Sequence, residues 1–377
     1  MPSYLTQTPP PRCWVEINLP ALAQNAAFCR AEGKCPIMAI VKADAYGHGL
    51  KEIARELAHE VGAFGVANVR EALRIREAIP DLTVPILILS PATPEEIPAI
   101  VAAGISASVS TPEEVEIFGA EAAKAHQKAS LHAAADTGMG RMGSAPESYA
   151  ALVDSIRNHE NCHLAGVNTH FPSADEEVEF TKQQITTFAR LLEPLDLPGD
   201  CIVHIANSAG LLDFQELMPF VTMSRPGLAL YGISPLESHA GELQPILEWK
   251  TRVALVREVP SGTTISYGRT FVAEKPMRVA TLGIGYGDGY PRHLSGNGAS
   301  VLIGGKRCPI LGRITMDQIV VDISHLDGPI KSGDEAVVAG SQGNETITIA
   351  EIAKKAGTIP WAVLTGITSR VERTYLS

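Results

Sequence analysis

Up to about residue 245, short apolar runs alternate with amphipathic stretches. The runs at residues 36–41, 63–67, 85–89, 105–109, 131–135, 164–169, 202–206 and 221–224 read as strands. Between the first two, Leu50, Ile53, Ala54, Leu57 and Ala58 recur at helical spacing and share one face, which predicts a helix over 50–60. A charged helix is expected over 70–78 and another opening at Pro94. Thr111-Pro112-Glu113-Glu114 has the cap-then-proline signature of a helix start. About eight strand–helix repeats in roughly 240 residues is the size of a (β/α)8 barrel. The strand runs are continuously apolar, as buried parallel strands should be. An open doubly wound sheet has the same periodicity and stays as the competing reading.

The texture changes near residue 245. Residues 246–259, 277–284, 300–303 and 318–323 are strand-like and separated by glycine-rich turns. Gly304-Gly305-Lys306 suits a hairpin turn, and a short helix is expected over 349–356 with Thr348 as its cap. The expected division is a barrel domain over 1–245 and a mostly β domain over 246–377, both of ordinary domain size.

Composition narrows the function. The 377 residues are 45% hydrophobic and 19% charged, as in a globular protein. A net charge of -11 argues against nucleic-acid or anionic-membrane partners, though not against a local pocket for one small anion. The N-terminus shows no cationic region followed by an apolar stretch, so no secretory signal is expected. No apolar run reaches bilayer length. The six cysteines are scattered without a C-x-x-C, which predicts neither a disulfide framework nor a zinc site and suits a reducing cytoplasm. No metal is expected. The glycine-rich stretch 283–289 lacks G-x-G-x-x-G spacing and is discounted as a nucleotide loop.

In a barrel, active residues follow strand ends at one face. Here they would be Lys42, Asp44, Tyr46 and His48; Asp136 to Arg141; His170 and Asp175; Asn207 and Ser208; and Arg225. Lys42 directly follows Ile40-Val41. Desolvation at a buried strand end lowers an ammonium pKa and yields the free amine that Schiff-base chemistry requires. A lysine snorkelling to the rim fits the strand context equally well.

The surrounding motif separates these readings. Val41-Lys42-Ala43-Asp44-Ala45-Tyr46-Gly47-His48-Gly49 resembles the pyridoxal-phosphate attachment segment of alanine racemases. Asp136-Thr137-Gly138-Met139-Gly140-Arg141, Thr169-His170-Phe171, Asn207-Ser208 and Arg225-Pro226-Gly227-Leu228 follow in that family's order. So do Ser266-Tyr267-Gly268, Gly285-Tyr286-Gly287-Asp288 and Met316-Asp317. The Lys42 and Arg225 segments are shared in part with other enzymes of the fold type. The Tyr267 and Met316-Asp317 segments are more specific.

The resemblance implies a barrel plus β domain and a homodimer whose active site is shared between subunits. It also implies D-alanine supply for peptidoglycan. Lys42 would carry the cofactor and act as base for the D enantiomer. Tyr267 of the partner subunit would serve the L enantiomer. A phenol needs about 4 kcal/mol of environmental help to titrate near neutrality, and His170 with nearby arginines would supply part of it as cations. Arg225 would face the pyridine nitrogen as a donor that keeps its proton. Tyr46, Ser208, and the N–H groups of Gly227 and Leu228 would hold the phosphate, and Asn207 would organise that loop. Arg141 and the Met316 N–H would take the substrate carboxylate, with Tyr286 and Asp317 near the entrance.

The sequence departs from the family pattern at three places. Ala134 stands where many members have a lysine, Ser369 where many have a tyrosine against the phosphate, and Thr315 where a cysteine is common. Ser369 can still donate a shorter hydrogen bond. A racemase of serine or of a broader set of amino acids, a decarboxylase on the same fold, and a non-enzymatic cofactor carrier stay as alternatives.

Overall fold

The computed structural model describes residues 9–377. The stretch read above as free of a secretory signal includes residues 1–8, which lie outside that range. Contacts divide the chain into two compact units. One holds Pro20–Ala45 and Gly49–Pro245. The other holds the described residues up to Leu19, with Tyr46–His48 and Ile246–Ser377.

The first unit is built on seven parallel strands hydrogen-bonded in chain order. They are Met38–Ile40, Ala63–Val66, Ile86–Ile88, Ser106–Val109, Ala129–Ala134, Cys162–Asn168 and Ile202–His204. The first four are buried at every position, which accounts for their mostly apolar sequence, Ser106 and Ser108 being the buried exceptions. The eighth expected strand, 221–224, forms no ladder. It makes a single parallel bridge, Ser224 to Ile37. Beyond it, Met38 N–H donates to Ser224 O (2.7 Å), Ile40 N–H to Pro226 O (3.1 Å) and Arg225 N–H to Ala206 O (2.7 Å). This segment therefore closes the ring between the first and seventh strands. Pro226 has no N–H to continue a ladder, which keeps the segment irregular.

The intervening helices follow from local signals. Leu50–Leu57 buries Leu50, Ile53, Ala54 and Leu57 on one face. In Pro112–Lys124, Thr111 and Glu114 form a reciprocal capping box with Pro112 in the first turn. The helix expected at Pro94 begins instead at Ile97, because residues 94–96 form a turn in which Glu96 accepts from Thr93 N–H at 3.0 Å.

The second unit centres on the thirteen-residue strand Leu247–Val259. One edge pairs with Cys13–Asn18 and then with Met277–Leu282; the other pairs with Glu335–Gln342. Ser300–Ile303, Lys306–Leu311 and Ile319–Asp322 complete a closed path of antiparallel neighbours. Gly304 (φ 59°) and Gly305 (φ 73°) make the expected hairpin turn, which needs positive φ at both residues. Val259, Ile265, Ala273, Val279 and Leu311 form a core cluster. Thr348 caps Ile349–Ala356 by accepting from Glu351 N–H. The sequence reading named no element at Cys13–Asn18, Glu335–Gln342, Pro360–Gly366 or Glu372–Leu376.

Candidate active site

Lys42 ends the first barrel strand, and the chain then does something rare. Ala43, Asp44, Ala45 and Tyr46 all have φ between 53° and 55°. A left-handed turn of four non-glycine residues costs about 1–2 kcal/mol per residue, so it persists only when its surroundings hold it. The restraints are visible. Ala45 N–H donates to Val41 O and Gly49 N–H to Asp44 O. Ala43 N–H donates to Glu71 Oε1 at 2.7 Å, and Leu50 N–H to Asp44 Oδ1 at 3.2 Å. Arg74 pairs with Asp44 at 2.8 Å. In the second unit Arg373 donates to Gly47 O, and a Cβ at Gly47 would collide with Leu364 O. Tyr46 is buried, which pushes its phenol up to about 12.

The Lys42 amine is held below the ordinary lysine range. Burial is the largest cause; Arg141 and Arg225 add repulsion, and Glu71 opposes them. This is the free-amine bias expected of a nucleophilic lysine.

Arg225 is buried, and its guanidinium is encircled by acceptors. Nη1 donates to His204 Nδ1 (2.8 Å) and to His204 O. Nη2 donates to Thr169 O (2.8 Å), His170 Nδ1 (3.1 Å) and Ile205 O (3.3 Å). Nε–H is left over. Burial and the nearby Arg141 press its pKa down to about 9, and no carboxylate offsets them. Because arginine only donates, the ring nitrogens facing it must accept. His204 Nε2 therefore carries the proton and donates to His132 Nδ1 at 2.8 Å. His170 likewise keeps its hydrogen on Nε2.

One expectation is thereby corrected. His170 was to help a phenolate as a cation. Burial, Arg225, Arg141 and Lys42 together lower it to about 3, so it is neutral at physiological pH. What it can offer is an Nε2–H donor.

The remaining barrel residues gather beside these. Asn207 caps the helix Ser208–Asp213 by accepting from Gly210 N–H (2.9 Å) and donates to Phe171 O (3.2 Å), which is loop organisation. Ser208 Oγ accepts from Gly227 N–H (3.0 Å) and Ala229 N–H (3.2 Å), so its own hydrogen points elsewhere. The Gly227 N–H is thus engaged by Ser208, while Leu228 N–H heads a 3-10 turn. Asp136 folds its loop by accepting from the N–H groups of Gly138, Met139 and Gly140. Burial raises its pKa, but those three bonds outweigh it and leave it lowered. Arg141 ends this loop exposed, as Asp175 is in its own. Ala134 lies 3% exposed at its strand end.

In the second unit, Met316-Asp317 and Tyr286-Gly287-Asp288 are tied together. Gly287 N–H donates to Met316 O (2.8 Å). Arg370 bridges Asp317 (2.7 Å) and Asp288 (3.3 Å). The Met316 N–H enters none of these bonds. Thr315 closes its turn onto Gln318 O at 2.7 Å, a role that tolerates the departure from cysteine. Ser369 is exposed beside Arg370. Tyr267 stands apart on a short turn, 70% exposed.

Three features escaped the sequence reading. His132 and His204 line up behind Arg225; a histidine inside a continuously apolar strand run was the available signal. Thr137 and Thr169 hydroxyls meet at 2.8 Å, with Gln184 donating to Thr137. Finally, His159-Glu160-Asn161-Cys162-His163 has the H-E-x-x-H spelling. That spacing forms a zinc site only on a helix. Here the helix Tyr149–Asn158 ends before it and the strand Cys162–Asn168 begins within it, so the two rings face Glu116 and Asp200 separately.

A parallel barrel with an amine at its first strand end, followed by a closed β unit, defines a two-domain barrel enzyme. The family model described as alanine racemase, N-terminal domain, matches residues 17–235, and that described as alanine racemase, C-terminal domain, matches 246–375. The chain is 41% identical over 368 residues to an alanine racemase of Methylacidiphilum infernorum, covering 97% of this chain and 93% of that one. It superposes with TM-score 0.91 on an alanine racemase from Streptomyces lavendulae, at 34% identity and covering 98% of both chains. An alanine racemase from Bartonella henselae with covalently bound pyridoxal phosphate superposes with TM-score 0.87 at 28% identity, covering 97% of this chain and all of that one. The chain belongs to the alanine racemase family. Among the described residues no helix is long and apolar enough to cross a membrane.

Proposed function

We infer that this chain is an isomerase that uses pyridoxal 5′-phosphate, carried on Lys42, to interconvert L-alanine and D-alanine. The observation that carries the reading is Arg225: a buried cation with every Nη hydrogen committed, no carboxylate offsetting it, and one donor left over. Such a charge is costly unless an anion joins it. The residues fit the cofactor: its negative charge would offset Arg225, whose remaining Nε–H could donate to the ring nitrogen.

The cofactor, when bound, supplies an aldehyde for an amine and a ring that takes up carbanion charge. The chain supplies the rest. The Lys42 amine, biased toward its neutral form, bonds the cofactor and holds a proton on one face. Ser208 aims its hydroxyl hydrogen away from Gly227 and Ala229, free to meet phosphate; by the family pattern Tyr46, Leu228 and Ser369 would join it, while the Gly227 N–H, also expected there, is occupied by Ser208. Arg225 would donate to the ring nitrogen without giving up its proton, which would leave the ring a weaker electron sink and disfavour transamination. Arg141 and the Met316 N–H take the substrate carboxylate, and Tyr286 and Asp317 line the approach. Tyr267 serves the opposite face, contributed by a second copy of the chain. Tyr267 is 70% exposed in the single chain, and a homodimer interface would cover it. The six cysteines are all unpaired thiols, which supports a cytoplasmic setting.

The test is direct. Purified protein given pyridoxal phosphate should turn yellow, and borohydride reduction with peptide mapping should place the adduct on Lys42. Turnover of L-alanine should exceed that of L-serine and L-lysine. A colourless inert protein, or a preference for another amino acid, would refute the respective half of the reading.

A further inference from the structure

We propose that Glu71 is a positioning residue for Lys42, clamping the left-handed turn that follows it and holding a negative charge toward its amine. The inference rests on the reading of Lys42 as the cofactor-bearing residue. Glu71 lies in the first turn of the helix Val69–Ala78, and its own N–H is capped by Asn68 Oδ1 at 3.1 Å. Its carboxylate does not reach back to the cap. Oε1 accepts from Ala43 N–H (2.7 Å) and Oε2 from Ala67 N–H (2.8 Å). These two N–H groups follow the neighbouring strands Met38–Ile40 and Ala63–Val66, which pair in register. One carboxylate thus staples two strand ends together where the backbone turns left-handed.

Its neighbour Asp44 shows the contrast. Asp44 also braces the turn, through Leu50 N–H, but its charge is matched by Arg74 at 2.8 Å. Among the described residues Glu71 enters no salt bridge; its two oxygens accept from backbone N–H groups. The charged groups bearing on Lys42 are Arg141 and Arg225, both repelling an ammonium, and Glu71, the one that favours it. His170, also close, is neutral. Without Glu71 two cations would act on the amine unopposed. Glu71 therefore braces the backbone that carries Lys42 and opposes the two arginines that lower its amine.

The decisive variant is Glu71→Gln, which keeps the side chain's size and one acceptor oxygen but removes the charge. Trace acetylation of the full-length, cofactor-free chain with acetic anhydride, read by peptide mass across pH, reports each lysine separately. The Lys42 midpoint should move to lower pH by about half a unit or more in Glu71→Gln, while Lys51 and Lys182 stay put. A purely structural role would not move that midpoint. Glu71→Ala, which loses both arms of the staple where Glu71→Gln loses one, should slow covalent capture of pyridoxal phosphate about ten-fold or more. Coincident Lys42 profiles in the wild type and Glu71→Gln would overturn the proposal, whether or not Glu71→Ala folds. Failure of the wild type to capture the cofactor on Lys42 would instead sink the functional reading, and the acetylation comparison would still decide this one.

Discussion

Lys42 and Tyr267, the two groups assigned to opposite faces of the substrate, sit in opposite circumstances. Lys42 is set by the fold of its own chain. Burial, two arginines and one carboxylate already set its amine, and a braced left-handed turn fixes its backbone. Tyr267 is unfinished. It occupies a turn between Ser266 (φ 63°) and Gly268 (φ 71°) and shows 70% of its surface to solvent. One group is prepared by folding; the other is left exposed, and the proposed second copy of the chain would cover it. A single chain should therefore capture cofactor competently and racemise poorly.

The largest expected effect breaks the pair apart. Tyr267→Phe should cut solvent-deuterium incorporation from L-alanine by about 10²–10⁴-fold, the usual worth of one acid–base group, and affect D-alanine exchange less. Equal loss in both directions would remove Tyr267 from its assigned face. Next, Arg225→Glu replaces the donor at the ring nitrogen with an acceptor and should raise pyruvate formed per racemisation about ten-fold or more, the effect of a shift of about 1.4 kcal/mol between the two paths. An unchanged ratio would leave Arg225 as an anion binder only.

The smallest effect concerns stability and falls on the Lys42 side alone. His132 and His170 are lowered to about 3 and His204 well below its ordinary value, in each case chiefly by burial. An unfolded histidine titrates near 6.5, so below that pH the unfolded state binds protons that the folded state refuses. Stability should be flat with respect to these groups above pH 6.5. It should fall between pH 6.5 and 3, by up to about 1.4 kcal/mol per pH unit for each histidine. Denaturant unfolding at pH 7 and pH 5 would show it, and equal stabilities would contradict the neutral, hydrogen-bonded string behind Arg225.

The barrel was legible because its strands are largely buried on both sides, and in both units a few local signals matched their element. Thr111 and Thr348 sit where their side chains are needed, and Gly304-Gly305 turns as its composition demands. The strand Glu372–Leu376 was not legible, since half-exposed positions such as Arg373 and Tyr375 alternate too weakly to announce it. The site divides similarly. Lys42 and Arg225 announced themselves by following apolar runs. Glu71 did not, because a glutamate in a helix's first turn looks like an ordinary dipole partner, and only the fold shows its carboxylate turned to Ala43. The neutrality of His170 was hidden for a like reason: it follows from which atom of Arg225 faces it, and a sequence carries no hydrogen-bond direction.

The strand Cys13–Asn18 has an unusual schedule. It lies between Leu247–Val259 and Glu372–Leu376, so both its partners come more than two hundred residues later in the chain. During synthesis it has neither partner until Leu247–Val259 is made, and its other edge stays open until nearly the last residue emerges. Contacts so distant in sequence close slowly, and an unmated strand edge invites wrong neighbours. Trimming the final five residues should therefore harm soluble yield far more than their small share of the chain would suggest.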